Sequence, residues 1–488
     1  MKEGEFFTEY GEAGRYEILE VIGKGSYGIV CSALDRYTGE KVAIKKINGV
    51  FDHLSDATRI LREIKLLRYL RHPDIVQIKH IMLPPSKKDF KDIFVVFELM
   101  ETDLHQVIKA NNDLTPGHLR FFLYQMLRGL KYVHTANVFH RDLKPKNILA
   151  NSDCKLKLCD FGLARPAFSD HPQAIFWTDY IATRWYRAPE LCGSFFAKYS
   201  PAVDIWSIGC IFAEVVLRKP LFPGRNVAHQ LELITDFLGS PSVEEIEKVR
   251  NEKAKRFLIA LPKKKAVRFE DRFPKLEAKA IGLLKRLLSF DPSKRPSAAE
   301  ALADPYFEGM HRVEHEPSAN PVSKFEYDFE RRKVSMMEVR EAIYREILEY
   351  HPQMKVEYVK HGGLETGMYL YPSAVESFKR QFAALEEKSA NSGNFPPEST
   401  SIRSSSVPME RVQQLQEALQ ESSLDNRGTQ HGPARRAKDG PVPADGTQGT
   451  HQPHSSTTSQ VADVQRATQQ MQQHFHLEEE DIPAQMSL

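Results

Sequence analysis

Through the first hundred residues, short runs of strand-type residues alternate with turns. The runs cover 16–22, 29–34 and 41–47, with a glycine-rich turn after the first and a turn ending at Gly39 before the third. This spacing predicts an antiparallel meander. The period then lengthens: Ile60, Ile64 and Leu67 stand at i, i+4 and i+7, which predicts a helix with Ser55 as its N-cap and Glu63 beside the inward stripe. Two more strands are predicted at 75–81 and 94–99. Beyond them the pattern is helical. Thr115-Pro116 is a cap followed by proline at the first helical position, and Leu119, Phe122, Met126, Leu130 and Val133 keep one face apolar. Further on, Ser335 and Glu338 form a capping box with Val334 and Val339 as its staple. The stripe Val339, Ile343, Ile347, Tyr350 then predicts a helix that packs. Strands first and helices afterwards predict an α+β protein of two lobes.

Composition divides the chain. Between 391 and 488 only Phe395 and Phe475 are aromatic, while Gln, Ser, Thr, Pro and His accumulate. Such a segment cannot bury enough apolar area to offset its ordering entropy, so 391–488 is expected to be a disordered tail. A second capping box, Ser373 with Glu376, opens a stripe of Val375, Phe378, Phe382 and Leu385. It marks a helix within 366–390 that either docks on the folded part or a partner, or forms only transiently. Over all 488 residues, 67 Lys+Arg against 65 Asp+Glu leave a net charge of +2, which excludes a protein that binds nucleic acid through bulk charge. No run approaches eighteen consecutive apolar residues, and MKEGEFFTEY carries acidic residues in place of a signal peptide's apolar region, so a soluble intracellular protein that does not associate with membranes is expected. The five cysteines show neither metal-ligand spacing nor a paired framework and read as reduced thiols. Lys263-Lys264-Lys265 and Arg435-Arg436 read either as nuclear import signals or as solvated charge, which leaves the location cytoplasmic, nuclear or both.

Four motifs carry chemistry. Ile22-Gly23-Lys24-Gly25-Ser26-Tyr27-Gly28-Ile29-Val30 places three glycines between two strands, where backbone N–H groups can approach phosphates. Strand-type residues follow it, which disfavours a dinucleotide-binding strand–loop–helix. Val42-Ala43-Ile44-Lys45 sets a lysine on the strand beneath that loop, within reach of Glu63 as an ion-pair partner. His140-Arg141-Asp142-Leu143-Lys144-Pro145-Lys146-Asn147 fixes Asp, Lys and Asn at offsets 0, +2 and +5 in one loop. Asp142 is the candidate acceptor of a substrate hydroxyl proton, Lys144 the neutraliser of a transferring phosphoryl group and Asn147 a metal ligand. Asp160-Phe161-Gly162 adds a second metal-binding carboxylate, and Ala188-Pro189-Glu190 closes the segment.

In this order, over about 16–307, the motifs resemble the eukaryotic protein kinase signature. The resemblance implies a β-rich small lobe over a helical large lobe, with ATP and Mg2+ in the cleft. It also implies Phe97 behind the adenine, Glu98 to Met100 as the hinge, Asp103 at the ribose and Ala43 among the ATP-binding residues. Lys144 resembles the serine/threonine branch. Thr178-Asp179-Tyr180, followed by Ile181-Ala182-Thr183-Arg184-Trp185-Tyr186-Arg187, is similar to the dual-phosphorylation lip of MAP kinases, and its T-D-Y form resembles members from plants and green algae. By that resemblance Arg62, Arg141 and Arg165 would hold phospho-Thr178, and Arg184 and Arg187 phospho-Tyr180, although several of these arginines could equally serve static ion pairs. Arg295 with Glu190 resembles the family's buried pair, and Asp204 the aspartate that braces the catalytic loop. Residues 308–365 resemble the extension that wraps back onto the small lobe, leaving 1–15 as an N-terminal segment. The family further implies a monomer, protein substrates with Ser/Thr-Pro sites, an upstream dual-specificity kinase, and phosphatases.

Two positions depart from the pattern. Where MAP kinases carry an acidic docking cluster, this chain reads His311-Arg312-Val313-Glu314-His315-Glu316, and Lys146 replaces a small residue. Two other readings compete with a MAP kinase. A silent nucleotide-binding scaffold is opposed by the complete set Lys45, Glu63, Asp142, Asn147 and Asp160. A kinase dependent on a cyclin-like subunit is opposed by Thr178-x-Tyr180 and by the extension.

Overall fold

The computed structural model describes residues 12–25, 28–88, 90–110, 114–167, 184–192, 200–249, 252–330 and 332–360. Ser26, Tyr27, the lip from 168 to 183 with Thr178 and Tyr180, and the helix expected near 373 lie outside them.

The small lobe is a five-stranded antiparallel sheet. Its strands are β1 (Tyr16–Gly25), β2 (Gly28–Asp35), β3 (Lys41–Ile47), β4 (Ile78–Ile81) and β5 (Ile93–Glu98), arranged in the order β1-β2-β3-β5-β4. The meander holds for the first three strands, after which β5 inserts beside β3 and leaves β4 at the edge. Alternation along β3 assigns its two faces. Val42 and Ile44 enter a small cluster with Tyr16, Cys31, Met82, Phe94 and Val96, while Ile47 belongs to the main core on the opposite face. Lys45 shares the Ile47 face, toward α1 (Leu54–Tyr69).

Two boundaries differ from the sequence reading. Helix α1 starts at Leu54 rather than after Ser55, because the extended His53 carbonyl already accepts from Asp56 and Ala57. The strand expected over 75–81 begins only at Ile78. The residues before it pair instead with the strand Leu156–Leu158 of the large lobe: Val76 donates to Leu158 O (2.9 Å) and Leu158 donates to Asp74 O (2.8 Å). That segment fastens the two lobes together.

After α2 (Leu104–Ala110) comes α3 (Pro116–Thr135), capped by Thr115 as expected, with Phe122, Met126, Leu130 and Val133 buried. It packs on α4 (Ala202–Leu217), whose residues from Val203 to Val215 are all buried, a pattern that suits a helix at the centre of a lobe. The lobe also holds α5 (Val227–Leu238), α6 (Glu252–Ala260) and α7 (Ala278–Leu287), the last packed on α4. Among the described residues no helix is long and apolar enough to cross a membrane, and all five cysteines are free.

The extension crosses back to the small lobe. Its helix α8 (Met336–Leu348) has the Ser335/Glu338 capping box and buries Val339, Ile343 and Ile347 against α1. Glu346 joins the two helices, with Lys65 Nζ at 2.7 Å from one oxygen and Arg68 Nε at 2.7 Å from the other. Burial alone would lift the Glu346 pKa, but these two cations outweigh it and hold the carboxyl below its ordinary value. Helix α9 (Pro352–Lys360) follows. The departure at 311–316 has an internal explanation. Glu316 is buried and accepts from Tyr124 Oη (2.9 Å) and the Arg312 amide (3.2 Å), with His311 Nδ1 at 2.9 Å, so this carboxylate is spent inside the fold. Within the basic run, Lys264 is ion-paired with Asp236, and its amide donates to Ser240 Oγ at 2.9 Å.

Candidate active site

Between the strands Val138–Phe139 and Ile148–Ala150 the chain forms a loop whose shape is imposed from beneath by Asp204 at the start of α4. Asp204 is fully buried. It accepts from the His140 amide (2.9 Å) and the Arg141 amide (2.8 Å), and its Oδ2 lies 2.9 Å from His134 Nε2. Burial would raise its pKa, yet these bonds and the nearby His134 and His140 keep it below the usual carboxylate range. Arg141 adopts φ 71°, a left-handed conformation that a non-glycine residue keeps only when its surroundings enforce it. His140 Nε2 lies 3.0 Å from Cys159 O, and its Nδ1 accepts from the Asp142 amide at 3.4 Å, which stations Asp142 at the rim of the cleft.

Six side chains then form two polar sets, Lys45 with Glu63 in the small lobe and Lys144, Asp142, Asn147 and Asp160 in the large one. Lys45 Nζ donates to Glu63 Oε1 at 3.1 Å, which fixes α1 against β3. Burial works against the Lys45 ammonium, but Glu63 and Asp160 overcome it and raise its pKa. Asn147 Nδ2 donates to Asp142 O (2.9 Å) and Asp142 Oδ2 (3.1 Å), and reaches Asp160 Oδ2 at 3.5 Å. Lys144 Nζ donates to Asp142 Oδ2 at 2.7 Å. Asp160 sits in the left-handed region, φ 62°, above the buried ring of Phe161. Lys45 first and then Arg59 hold its carboxyl below the ordinary range, against the effect of burial.

Asp160 supplies carboxylate oxygens. Asn147 uses its nitrogen on the two aspartates and leaves its carbonyl oxygen as the ligand-capable atom. That hard oxygen donor set fits Mg2+. The floor of the glycine loop is equally constrained. Gly25 pairs with Gly28 in the sheet, Gly28 has φ +145°, and a Cβ there would stand 1.8 Å from Lys46 O. Ala43 is buried on β3 opposite Phe97 of β5, and Met100 is buried just beyond. Glu98, expected in the hinge, accepts from the Gln77 amide (2.9 Å) and pairs with Lys157 (3.1 Å), and Asp103, expected at the ribose, accepts from the Gln106 amide (2.9 Å).

The arginines expected at the lip divide. Arg62 is buried and grips Glu330, at the end of the 3-10 segment Lys324–Glu330, through Nε and through Nη2 at 3.0 Å, while its Nη1 donates to Gly162 O at 3.0 Å. Arg165 Nε stands 3.8 Å from the same carboxylate. Burial, then the adjacent Arg62 charge, push the Arg165 guanidinium down to about 9, as expected where cations outnumber the carboxylates among them. The static ion pair is therefore the state of Arg62 in this structure. Arg184 Nη1 donates to Arg225 O at 3.0 Å, and its Nε is buried without an acceptor among the described residues. Arg141 and Arg187 line a small pocket beside Asp142 together with Tyr186 and Leu191. Arg295 meets Glu190 through Nη1 (2.6 Å) and Nη2 (2.8 Å), both groups being buried. Sequence reasoning missed Arg59, whose Nη2 lies 3.9 Å from Asp160 Oδ1. The available signal was its position one helical turn before Glu63 on the same face.

A protein kinase domain model matches residues 16–307. Mitogen-activated protein kinase 15 of Oryza sativa subsp. japonica is 69% identical over 393 residues, 80% of this chain and 78% of that one. The chain belongs to the MAP kinase family. Mitogen-activated protein kinase 16 of Arabidopsis thaliana is likewise 69% identical, over 398 residues, 81% of this MAP kinase and 70% of the relative. Mitogen-activated protein kinase 9 of the same plant is 67% identical over 410 residues, 84% and 80% of the two chains. This MAP kinase is a serine/threonine protein kinase of the plant type, with the antiparallel small lobe and helical large lobe of its family.

Proposed function

We propose that this MAP kinase transfers the γ-phosphoryl group of ATP to a Ser or Thr hydroxyl preceding proline, and that phosphorylation of Thr178 and Tyr180 switches it on within a phosphorylation cascade. The observation that carries the reading is the pairing of Lys45 with Glu63 in the small lobe together with the hydrogen-bonded set Asp160, Asn147, Asp142 and Lys144 in the large one, Asp160 close enough to raise the Lys45 pKa. Bound at Asp160 and Asn147, Mg2+ would neutralise phosphate charge and fix the orientation of the β- and γ-phosphates.

The protein's own part is positioning and electrostatics. Lys45, held by Glu63, directs its ammonium at the α- and β-phosphates. The β1–β2 loop brings backbone N–H groups over them, because glycine at 28 allows the close approach to β3. Asp142 orients the substrate hydroxyl and accepts its proton. Lys144, 2.7 Å from Asp142, offers positive charge to the oxygens of the group in transfer. A phosphate on Thr178 adds about −1.5 to −2 charge, and Arg62, Arg165 and Arg141 are the cations that would receive it. It must then compete with Glu330 for the first two. Arg184 and Arg187 are assigned to the phosphate on Tyr180. The chain acts as a monomer on protein substrates, with an upstream dual-specificity kinase and phosphatases setting the state of the lip.

The test pairs mass spectrometry of the lip peptide with a kinase assay on a generic basic protein, comparing the wild-type chain with Asp142→Asn, each supplied with Mg-ATP and an activating kinase. The expected result is doubly phosphorylated lips in both and phosphate transfer to substrate by wild type alone. Silence of a doubly phosphorylated wild type would sink the enzyme reading.

A further inference from the structure

At the edge of the small lobe three side chains converge from three parts of the chain. Glu12 precedes β1, His80 lies on the edge strand β4, and His351 follows α8 in the extension. Their candidate ligand atoms all lie within 4.8 Å of one another. His80 Nε2 is 2.9 Å from Glu12 Oε2, His351 Nδ1 is 3.6 Å from Glu12 Oε1, and the two imidazole centroids are 4.7 Å apart.

The tautomer of His351 follows from its other nitrogen. Nε2 lies 2.7 Å from the carbonyl oxygen of Ile81, which can only accept, so Nε2 carries the proton and the Nδ1 of the neutral ring carries a lone pair. That nitrogen stands 3.6 Å from a carboxylate oxygen of Glu12, a pair of acceptors that a cation bound to both would satisfy. An imidazole whose remote N–H is fixed on a backbone carbonyl is also the usual support of a metal-ligating histidine. Glu12 has the matching support, because its carboxylate accepts from the Leu83 backbone. Two imidazole nitrogens and one carboxylate oxygen form the three-ligand set that zinc takes with a fourth position left to water. Tetrahedral bonds of about 2.0–2.2 Å separate ligand atoms by roughly 3.3–3.6 Å, and here Glu12 lies 2.9 Å from His80 through one oxygen and 3.6 Å from His351 through the other, within small side-chain adjustments of that spacing.

We infer that Glu12, His80 and His351 form a zinc-binding site, with water as the fourth ligand. On binding, His80 moves its Nε2 proton to Nδ1, so the ring stays neutral and no net proton is released from it. The site carries no chemistry of phosphoryl transfer. It pins the N-terminal segment and the end of α8 to β4, and the same α8 braces α1 and so Glu63. Imidazole ligands favour zinc over magnesium, so the Mg2+ required in the cleft does not compete.

The experiment uses the full chain, free of any tag and stripped with EDTA, titrated calorimetrically with zinc chloride in the presence of millimolar Mg2+. Wild type is compared with Glu12→Gln and with His80→Gln. Neither substitution touches the bond from His351 to Ile81, and each chain's melting curve in EDTA supplies its own zinc-free baseline. Wild type should take up one more zinc ion than either variant, with affinity at that site falling at least tenfold in each, and its melting temperature should rise with zinc where the variants' does not. Bound cobalt should show tetrahedral ligand-field absorption in wild type only. Equal stoichiometry and affinity in all three chains would place any bound ion elsewhere and overturn the site, as would no zinc uptake by wild type. If His80→Gln does not fold, Glu12→Gln decides alone.

Discussion

Replacing Asp204 by asparagine keeps the shape of the side chain and removes its charge. The Oδ2 position receives the His140 amide and faces His134, so asparagine is expected to leave its oxygen there and turn its amino group toward the Arg141 amide. The bond lost is the one that holds Arg141 at φ 71°. A charge-assisted hydrogen bond contributes about 1.5–3 kcal/mol, and leaving its buried donor unsatisfied adds about 1–3 kcal/mol. The left-handed backbone of Arg141 itself costs roughly 1–3 kcal/mol. The restraint is therefore removed from a residue whose strain is of similar size, and Arg141 should relax toward ordinary φ values. Asp142 is the next residue and moves with it. If about 3 kcal/mol of this appears in the transition state, kcat falls roughly 100-fold. The Michaelis constant for ATP should change less than about threefold, because Lys45 and the glycine loop belong to the other lobe. Steady-state kinetics of the doubly phosphorylated chain separate the two constants, and a melting curve records the accompanying loss of stability. A variant that melts lower yet keeps kcat within threefold of wild type would refute the positioning role and leave Asp204 purely structural.

Arg295 donates to Ser289 O, Ala202 O and Phe290 O as well as to both oxygens of Glu190, so Arg295→Met strands a buried carboxylate. About 3–5 kcal/mol should be lost, or roughly 4–7 °C of melting temperature for a folded part of about 340 residues, and a shift under 1 °C by calorimetry would contradict the pairing. Glu330→Gln should destabilise the unphosphorylated chain by about 1.5–3 kcal/mol and the doubly phosphorylated chain by less than half of that, because a phosphate on Thr178 takes over Arg62 and Arg165. Equal losses in thermal melts of the two forms would rule out competition. The Glu346 carboxyl is held below its unfolded value near 4.5, so its contribution is fully present above that pH and disappears as pH falls through the lower, folded value. Between about pH 5 and pH 3 wild type should therefore lose stability more steeply than Glu346→Gln, and parallel acid titrations followed by circular dichroism would count against the ion pair.

What the sequence made legible was local. The Thr115 and Ser335 caps, the β3 lysine and the spacing of Asp142, Lys144 and Asn147 all work within a few residues, where propensity and periodicity speak directly. The unread parts were long-range. Arg62 meets a carboxylate 268 positions away, and nothing in the pattern around either residue announces the other. Glu316 looks like half of a docking patch until Tyr124 and His311 claim it. The start of α1 was misplaced for a smaller reason: Ser55 is a good cap by type, but the extended backbone of His53 supplies the first helical acceptor two residues earlier. The left-handed turns at Arg141 and Asp160 carry no mark in side-chain chemistry, because tertiary contacts enforce them.

The clasp that α8 places on α1 belongs to the same covalent chain, and this sets how the enzyme responds to dilution. A separate activating subunit leaves its kinase once concentration falls below their dissociation constant. Here the segment that props Glu63 toward Lys45 is tethered, so its effective concentration is fixed by chain length and does not change with the number of molecules in the cell. Activity per molecule should then be constant from micromolar to picomolar protein. A truncation just before Ser335, some 270 residues beyond Glu63, would present in the laboratory as an ATP-site mutation.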